Sequence, residues 1–93
     1  MSSRILVVED EPDILEIISY NLHQAGLEVE SAEDGETALQ KAEDLRPDLI
    51  ILDLMLPGID GLEVCRRLKQ TDRLRHVPVL MLTARAEEVD RIV

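Results

Sequence analysis

A single α/β domain built on a parallel sheet is predicted by three features of this 93-residue chain. Short apolar runs rich in Ile, Leu and Val alternate with amphipathic segments of helical period. The runs have few polar interruptions, which is typical of strands buried on both faces of a parallel sheet. Most of the runs also end abruptly at polar residues. Alternation of this kind implies right-handed crossovers and the element order β-α-β-α-β-α-β-α.

The first half of the chain supplies two strands and two helices in this prediction. Residues 5–8 (Ile-Leu-Val-Val) form a strand, and a helix follows over residues 12–24, where Pro12 suits the first turn because its missing N–H has no partner there. Residues 27–32 alternate, with Glu28 and Glu30 on one side. Charges placed in this way discourage edge-to-edge pairing, so this run is predicted to be an edge strand. A turn at Asp34-Gly35 precedes a helix that ends near residue 45.

The second half repeats the pattern. Residues 49–52 are predicted to form a buried strand that ends at Asp53. A loop punctuated by Pro57-Gly58 and Asp60-Gly61 follows, and residues 62–70 are predicted to form a third helix. Pro78 leads a fourth strand over residues 79–82. A fourth helix is expected to start at residue 87 and to reach the last residue, Val93. No repeat or linker divides the chain, so residues 1–93 are expected to form one domain.

The charge balance restricts the possible partners. Acidic residues outnumber basic ones by 20 to 10, and 15 of the acidic but only 3 of the basic residues lie within the first 60 positions. This acidity argues against nucleic-acid binding by the segment and favours a cation or a basic partner. The one cysteine, Cys65, excludes an internal disulfide and is expected in the core. No signal-peptide or membrane-spanning pattern is found, so a cytoplasmic location is expected.

Polar residues gather where three of the predicted strands end: Glu9 and Asp10, then Asp53, then Thr83. Sites in open α/β sheets form outside the carboxyl ends of strands, at the point where the strand order reverses. With a strand order of 2-1-3-4, that point lies between the first and third strands. Asp10 and Asp53 are therefore predicted to face each other.

Two chemical roles are open to these carboxylates. Clustered carboxylates repel unless protons or a metal offset the charge, and oxygen ligands at a half-open site suit Mg²⁺. Alternatively, the acidic run that includes Glu9 and Asp10 only favours the start of a helix through its dipole. Asp53 is harder to explain structurally, because it ends an apolar strand. A carboxylate there can act as a nucleophile that forms an aspartyl phosphate.

Three segments resemble the receiver (CheY-like) domains of bacterial response regulators: ILVVEDEPDILEII, PDLIILDLMLPGIDGLEVCRRLK and VPVLMLTAR. The MLPG and MLTAR strings most resemble receivers of winged-helix (OmpR/PhoB-type) transcription regulators. The resemblance covers essentially the whole chain and implies a flavodoxin-like parallel sheet. It also implies two-component signalling, in which a sensor histidine kinase supplies a phosphoryl group with Mg²⁺ as cofactor. Such a domain is not an enzyme beyond its own phosphorylation and dephosphorylation.

The resemblance also assigns roles to individual residues. Asp53 is implied as the phosphoacceptor and Asp10 as the principal Mg²⁺ carboxylate. Glu9 is expected to act mainly through water, and Met55 through its backbone carbonyl. The switch hydroxyl is assigned to Thr83, and Ala84 to the small residue that leaves room for the phosphoryl group.

The chain departs from the family pattern at its end, where the family's fifth strand, fifth helix and invariant lysine have no counterpart. A C-terminally truncated receiver would leave apolar side chains of the first helix, among them Ile14, Ile17 and Ile18, exposed, with an open edge at the fourth strand. An alternative function is therefore a folding or self-assembly fragment that forms a homo-oligomer and transfers little phosphate. A phosphohydrolase with an Asp nucleophile is disfavoured, because Leu54 and Met55 follow Asp53 where such enzymes place a second Asp.

Overall fold

A computed structural model describes residues 3–82 and 91–92 of the chain. Four strands and three helices alternate along residues 3–82: β1 (Arg4–Val8), α1 (Pro12–Gln24), β2 (Glu28–Ala32), α2 (Gly35–Leu45), β3 (Leu49–Asp53), α3 (Gly61–Gln70) and β4 (Val79–Leu82). A two-residue strand, β5 (Arg91–Ile92), follows. The bounds predicted for α1 and β4 are confirmed, and those of β1, β2, α2, β3 and α3 agree with the prediction to within one residue.

The sheet has the order β2-β1-β3-β4-β5, and its first four strands are parallel. The predicted order 2-1-3-4 is therefore confirmed, as is the position of β2 at an edge, where Glu28 and Glu30 are exposed. From β1 the chain moves first to one side of the sheet and then, at β3, to the other. The carboxyl ends of β1 and β3 thus lie side by side, which is where a ligand-binding crevice forms in such sheets.

β5 corrects one expectation about the end of the chain. The helix predicted from residue 87 is wrong at Arg91 and Ile92, which instead pair antiparallel with Met81 and Leu80 of β4. The unpaired backbone N–H and C=O groups of an edge strand can pair with any extended segment, and in β4 they pair with β5 of the same chain. The edge of β4 is consequently paired at these two residues rather than open. The other residues of that predicted helix lie outside the described part of the chain.

Aspartate side chains begin two of the helices. Oδ1 of Asp34 accepts a hydrogen bond from the backbone N–H of Thr37 at 2.8 Å, and Oδ1 of Asp60 accepts one from Glu63 at 2.9 Å. Such caps satisfy backbone donors that have no partner within the helix. Asp60-Gly61, expected within a loop, is therefore the start of α3.

The core is divided between the two faces of the sheet. On one face, α2 and α3 cover a cluster of 14 buried residues that includes Leu6, Leu52 and Leu68. Cys65 belongs to this cluster, which confirms its predicted place in the core. On the other face, α1 covers a cluster of three buried residues, Ile5, Val7 and Ile51. None of the helices within the described ranges is long and apolar enough to cross a membrane.

Candidate functional site

Three carboxylates meet at the edge of the sheet where β1 and β3 end. Asp53 is the last residue of β3, and Glu9 and Asp10 directly follow β1. One oxygen from each of the three side chains lies within 4.8 Å of the others. The predicted meeting of Asp10 and Asp53 therefore occurs, and parallel pairing of β1 with β3 brings it about, because it places the two strand ends at the same level.

Glu9 is the most deeply placed of the three, with only 4% of its surface exposed. Burial raises the pKa of Glu9 from 4.5 to about 7, and the neighbouring carboxylates of Asp53 and Asp10 add to the rise. A hydrogen bond from the backbone N–H of Glu11 to Oε2 of Glu9, at 3.2 Å, offsets part of this effect. A buried carboxyl group with a raised pKa is one that a proton or a metal cation would stabilise.

Among residues 3–82, no ion pair involves these three carboxylates. Within residues 3–82, the ion pairs lie elsewhere on the surface, as between Arg4 and Glu28 or between Arg73 and Glu43. Three oxygen ligands close together, half-buried and without a basic partner among these ion pairs, are a donor set that suits a hard divalent cation such as Mg²⁺. The residues present therefore fit the expected metal.

The segment after β3 holds the Asp53 side chain in place. The backbone N–H of Met55 donates to Oδ1 of Asp53 at 3.0 Å, so the carboxylate is oriented by the residue two positions later. The Met55 side chain is 72% exposed. Gly58, with a φ of +74°, allows the chain to turn back toward α3 in a conformation that other residues rarely adopt. Gly58 therefore lies in a turn, as expected for the loop that Pro57-Gly58 was predicted to punctuate.

Two of the predicted site residues, Thr83 and Ala84, lie outside the described part of the chain. Glu9, Asp10 and Asp53 are together, and Met55 is next to them through its hydrogen bond. The individual roles assigned to all six residues stay predictions.

Sequence reasoning missed the close contact between Gly61, at the start of α3, and the end of β3. A side chain added there would collide with the backbone of Asp53 and Leu54. The only sequence signal was the Asp-Gly pair, which is equally typical of an ordinary turn.

Residues 5–93 match the family model for the response regulator receiver domain. The chain belongs to this family. The receiver is 51% identical over 92 residues to the alkaline phosphatase synthesis transcriptional regulatory protein PhoP of Bacillus subtilis, across 99% of this chain and 38% of that protein. It is 47% identical to the phosphate regulon transcriptional regulatory protein PhoB of Escherichia coli, across 99% of this chain and 40% of that protein. The expected likeness to receivers of PhoB-type transcription regulators is confirmed.

A solved structure gives the same result for the fold. The receiver domain of the sensor histidine kinase PA1611 of Pseudomonas aeruginosa matches with a TM-score of 0.88 and 36% identity, over 92% of this chain and 70% of that one. That domain carries a magnesium ion coordinated in its active-site cleft. The receiver described here spans about two fifths of the length of the curated relatives it matches.

Proposed function

We propose that this receiver accepts a phosphoryl group on Asp53 from a sensor histidine kinase, with Mg²⁺ held beside it. The observation that carries the proposal is the placement of Asp53 at the end of an apolar strand, within 4.8 Å of the oxygens of Glu9 and Asp10. A nucleophile and a cation-binding carboxylate pair thus share one site. The magnesium ion in the cleft of the PA1611 receiver domain supports the choice of metal.

The residues of the chain would divide the work. Side chains of Glu9, Asp10 and Asp53, with the backbone carbonyl of Met55, would hold the ion. When bound, Mg²⁺ would offset the negative charge that a phosphoryl group and the carboxylates bring together. The Met55 N–H orients the carboxylate of Asp53. An oxygen of Asp53 then forms a bond to phosphorus while the P–N bond of the kinase phosphohistidine breaks, and the imidazole leaves with the electron pair.

The partner is a histidine kinase, and the domain acts on no separate substrate beyond its own phosphorylation and dephosphorylation. A cytoplasmic location fits a partner of this kind. With 20 acidic and 10 basic residues, this segment does not itself bind nucleic acid.

Intact mass spectrometry tests the proposal directly. The chain is incubated with Mg²⁺ and acetyl phosphate, with and without a chelator. We expect one phosphoryl adduct that requires Mg²⁺ and is lost in Asp53→Asn. The matched control is Asp44→Asn, which makes the same chemical change on the exposed side of α2 and should leave the adduct intact. An adduct that persists in Asp53→Asn, or a wild-type chain that forms none, would contradict the proposal.

A further inference from the structure

We infer that Gly61, the first residue of α3, is a positioning residue for the phosphoryl-accepting site, an inference that rests on the proposed function. A Cβ atom built at Gly61 would lie 2.6 Å from the carbonyl oxygen of Asp53 and 2.8 Å from the Cα of Leu54. Real Cβ atoms essentially never approach so closely. The obstacle is backbone, which cannot rotate away as a side chain can. Any side chain at position 61 must therefore displace the end of β3 or the start of α3.

Space, rather than backbone conformation, explains the glycine at this position. Two other glycines, Gly26 and Gly58, adopt the left-handed region, with φ values of +83° and +74°, and neither has an atom within 4 Å of an added Cβ. Gly61 has the opposite combination: its φ lies outside that region, and its Cβ position is occupied. Its N–H donates to the carbonyl of Leu54 at 3.2 Å, which fixes the close approach of α3 to the acceptor strand.

This contact acts on the groups that hold the carboxylate of Asp53. Leu54 is held from two directions, because its N–H donates to the carbonyl of Leu82 at 3.1 Å and its carbonyl accepts from Gly61. The next residue, Met55, supplies the N–H that orients Asp53. A shift of the Asp53–Leu54 peptide would therefore move both the acceptor carboxylate and its donor. α3 thus sets the geometry of the site through backbone contact, without contributing a side chain to it.

The central experiment compares Gly61→Ala with Gly26→Ala. Binding of Mg²⁺ alone is measured by isothermal titration calorimetry, adduct formation with acetyl phosphate by intact mass, and folding by circular dichroism. In Gly61→Ala we expect a Mg²⁺ dissociation constant raised about 10-fold or more, in the range seen when partners that orient metal ligands are removed. We expect the rate of adduct formation to fall by about 100-fold, as misplacement of about 1 Å can cause.

Gly26→Ala controls for a general loss of stability. Its left-handed φ strains an alanine, but its surroundings are open. It lies in the turn before β2, at the amino end of that parallel strand, whereas the carboxylates lie at the carboxyl ends of β1 and β3. We expect this variant to melt at a lower temperature with an unchanged Mg²⁺ dissociation constant. A Gly61→Ala chain that folds and keeps the wild-type dissociation constant and rate would overturn the inference.

A second pair of variants decides the question if Gly61→Ala does not fold. Asp60 caps α3 beside Gly61; Asp60→Ala removes the cap, whereas Asp60→Asn retains capping ability and removes the same charge. We expect weaker Mg²⁺ binding in Asp60→Ala than in Asp60→Asn, because only the former loosens the start of α3. Asp34→Ala, which removes the equivalent cap of α2, should destabilise the fold without this effect. Equal dissociation constants for the two Asp60 variants would overturn the inference.

The results also separate this inference from the function on which it rests. A wild-type chain without a Mg²⁺-dependent adduct would overturn both. A wild-type adduct that requires Asp53 but forms equally fast in folded Gly61→Ala would overturn only the role of Gly61.

Discussion

The two faces of the sheet are covered to very different depths, although the same strands supply both. Fourteen buried residues lie on the face covered by α2 and α3, including every fully buried leucine of the described chain. The other face has three buried residues, and α1, which covers it, has none of its own. Eight further apolar residues on that second face are only partly buried. Most of the hydrophobic stabilisation, which scales with the apolar area removed from water, therefore comes from one side.

The carboxylate site belongs to the thinly covered face. Side chains alternate along a strand, so Asp53 shares its face with Leu49 and Ile51, which belong to the smaller cluster. Ile50 and Leu52 point the opposite way, into the larger cluster. The two faces therefore differ in what they contribute: one supplies most of the buried apolar packing, and the other carries the carboxylate cluster at its end.

The largest expected effect comes from a matched pair on β3, Ile50→Ala and Ile51→Ala. The two isoleucines are adjacent, are 1% and 7% exposed, and point to opposite faces. Ile50→Ala should lower the free energy of unfolding by about 2–5 kcal/mol, because it leaves a cavity among well-packed neighbours. Ile51→Ala should lower the free energy of unfolding by less, since the partly buried side chains around Ile51 can move into the space. Urea denaturation followed by circular dichroism measures both losses.

Milder variants make the same test if the alanine substitutions unfold this small domain. Ile50→Val and Ile51→Val each remove one methylene group, at a cost of about 0.5–1.5 kcal/mol where packing is tight. Equal losses of unfolding free energy at the two positions would show that the two faces contribute equally to stability, which would contradict the difference inferred from burial.

A smaller effect, opposite in sign, is expected from Glu9→Gln at the edge of the thin face. In the metal-free chain Glu9 has a pKa of about 7, against 4.5 for an ordinary glutamate. The fold favours the protonated form of Glu9. The stability that this protonation adds is fully present below about pH 4.5 and is lost as the pH rises through about 7. At pH 8, Glu9→Gln should therefore be more stable than wild type by at most about 3 kcal/mol.

The control for Glu9→Gln is the pH itself. Near pH 4, where Glu9 is protonated in both the folded and unfolded chain, the variant and wild type should have nearly equal urea midpoints in the presence of a chelator. Adding Mg²⁺ at pH 8 should stabilise wild type more than the variant, because the ion binds the ionised carboxylate. If Glu9→Gln were more stable than wild type by the same amount at every pH, the titration of Glu9 could not be the cause of the difference.

The smallest effect is expected on the outer side of α1. Ile17 is 63% exposed, so Ile17→Gln should change the free energy of unfolding by no more than about 0.5 kcal/mol. Ile18→Gln, one residue later and packed against the smaller cluster, should lower the free energy of unfolding by more.

Light scattering on the same two variants tests the predicted homo-oligomer. Self-association through this apolar surface should weaken in Ile17→Gln, and an unchanged particle mass would contradict that prediction.

The strands and helices of this receiver were predictable because local and global signals agree. A strand such as β3 is a short, uninterrupted apolar run rich in Ile and Leu, which is typical of a sheet covered on both faces, and Pro12 occupies the first position of α1. The meeting of Asp10 with Asp53 also followed from strand order alone, since parallel strands end at the same edge.

Other features depend on contacts between distant parts of the chain and could not be predicted. The strand at Arg91–Ile92 forms because β4 offers unpaired backbone groups there, which overrides the helical pattern of those residues. The requirement for glycine at Gly61 arises from the backbone of Asp53, eight residues earlier, and is invisible in the sequence around it. The raised pKa of Glu9 likewise comes mainly from burial, which the residues next to it in the sequence do not indicate.

Tyr20 lies on the outer side of α1, the helix that covers the smaller cluster, and makes the surface of this helix observable by spectroscopy. It is the only aromatic residue of the chain and is 63% exposed, close in sequence to Ile17. Because the core contains no aromatic ring, the intrinsic fluorescence of the protein comes entirely from this surface position. Tyrosine emission should therefore report on whatever contacts α1, while circular dichroism follows the sheet and helices, and the two signals can be read independently in one titration.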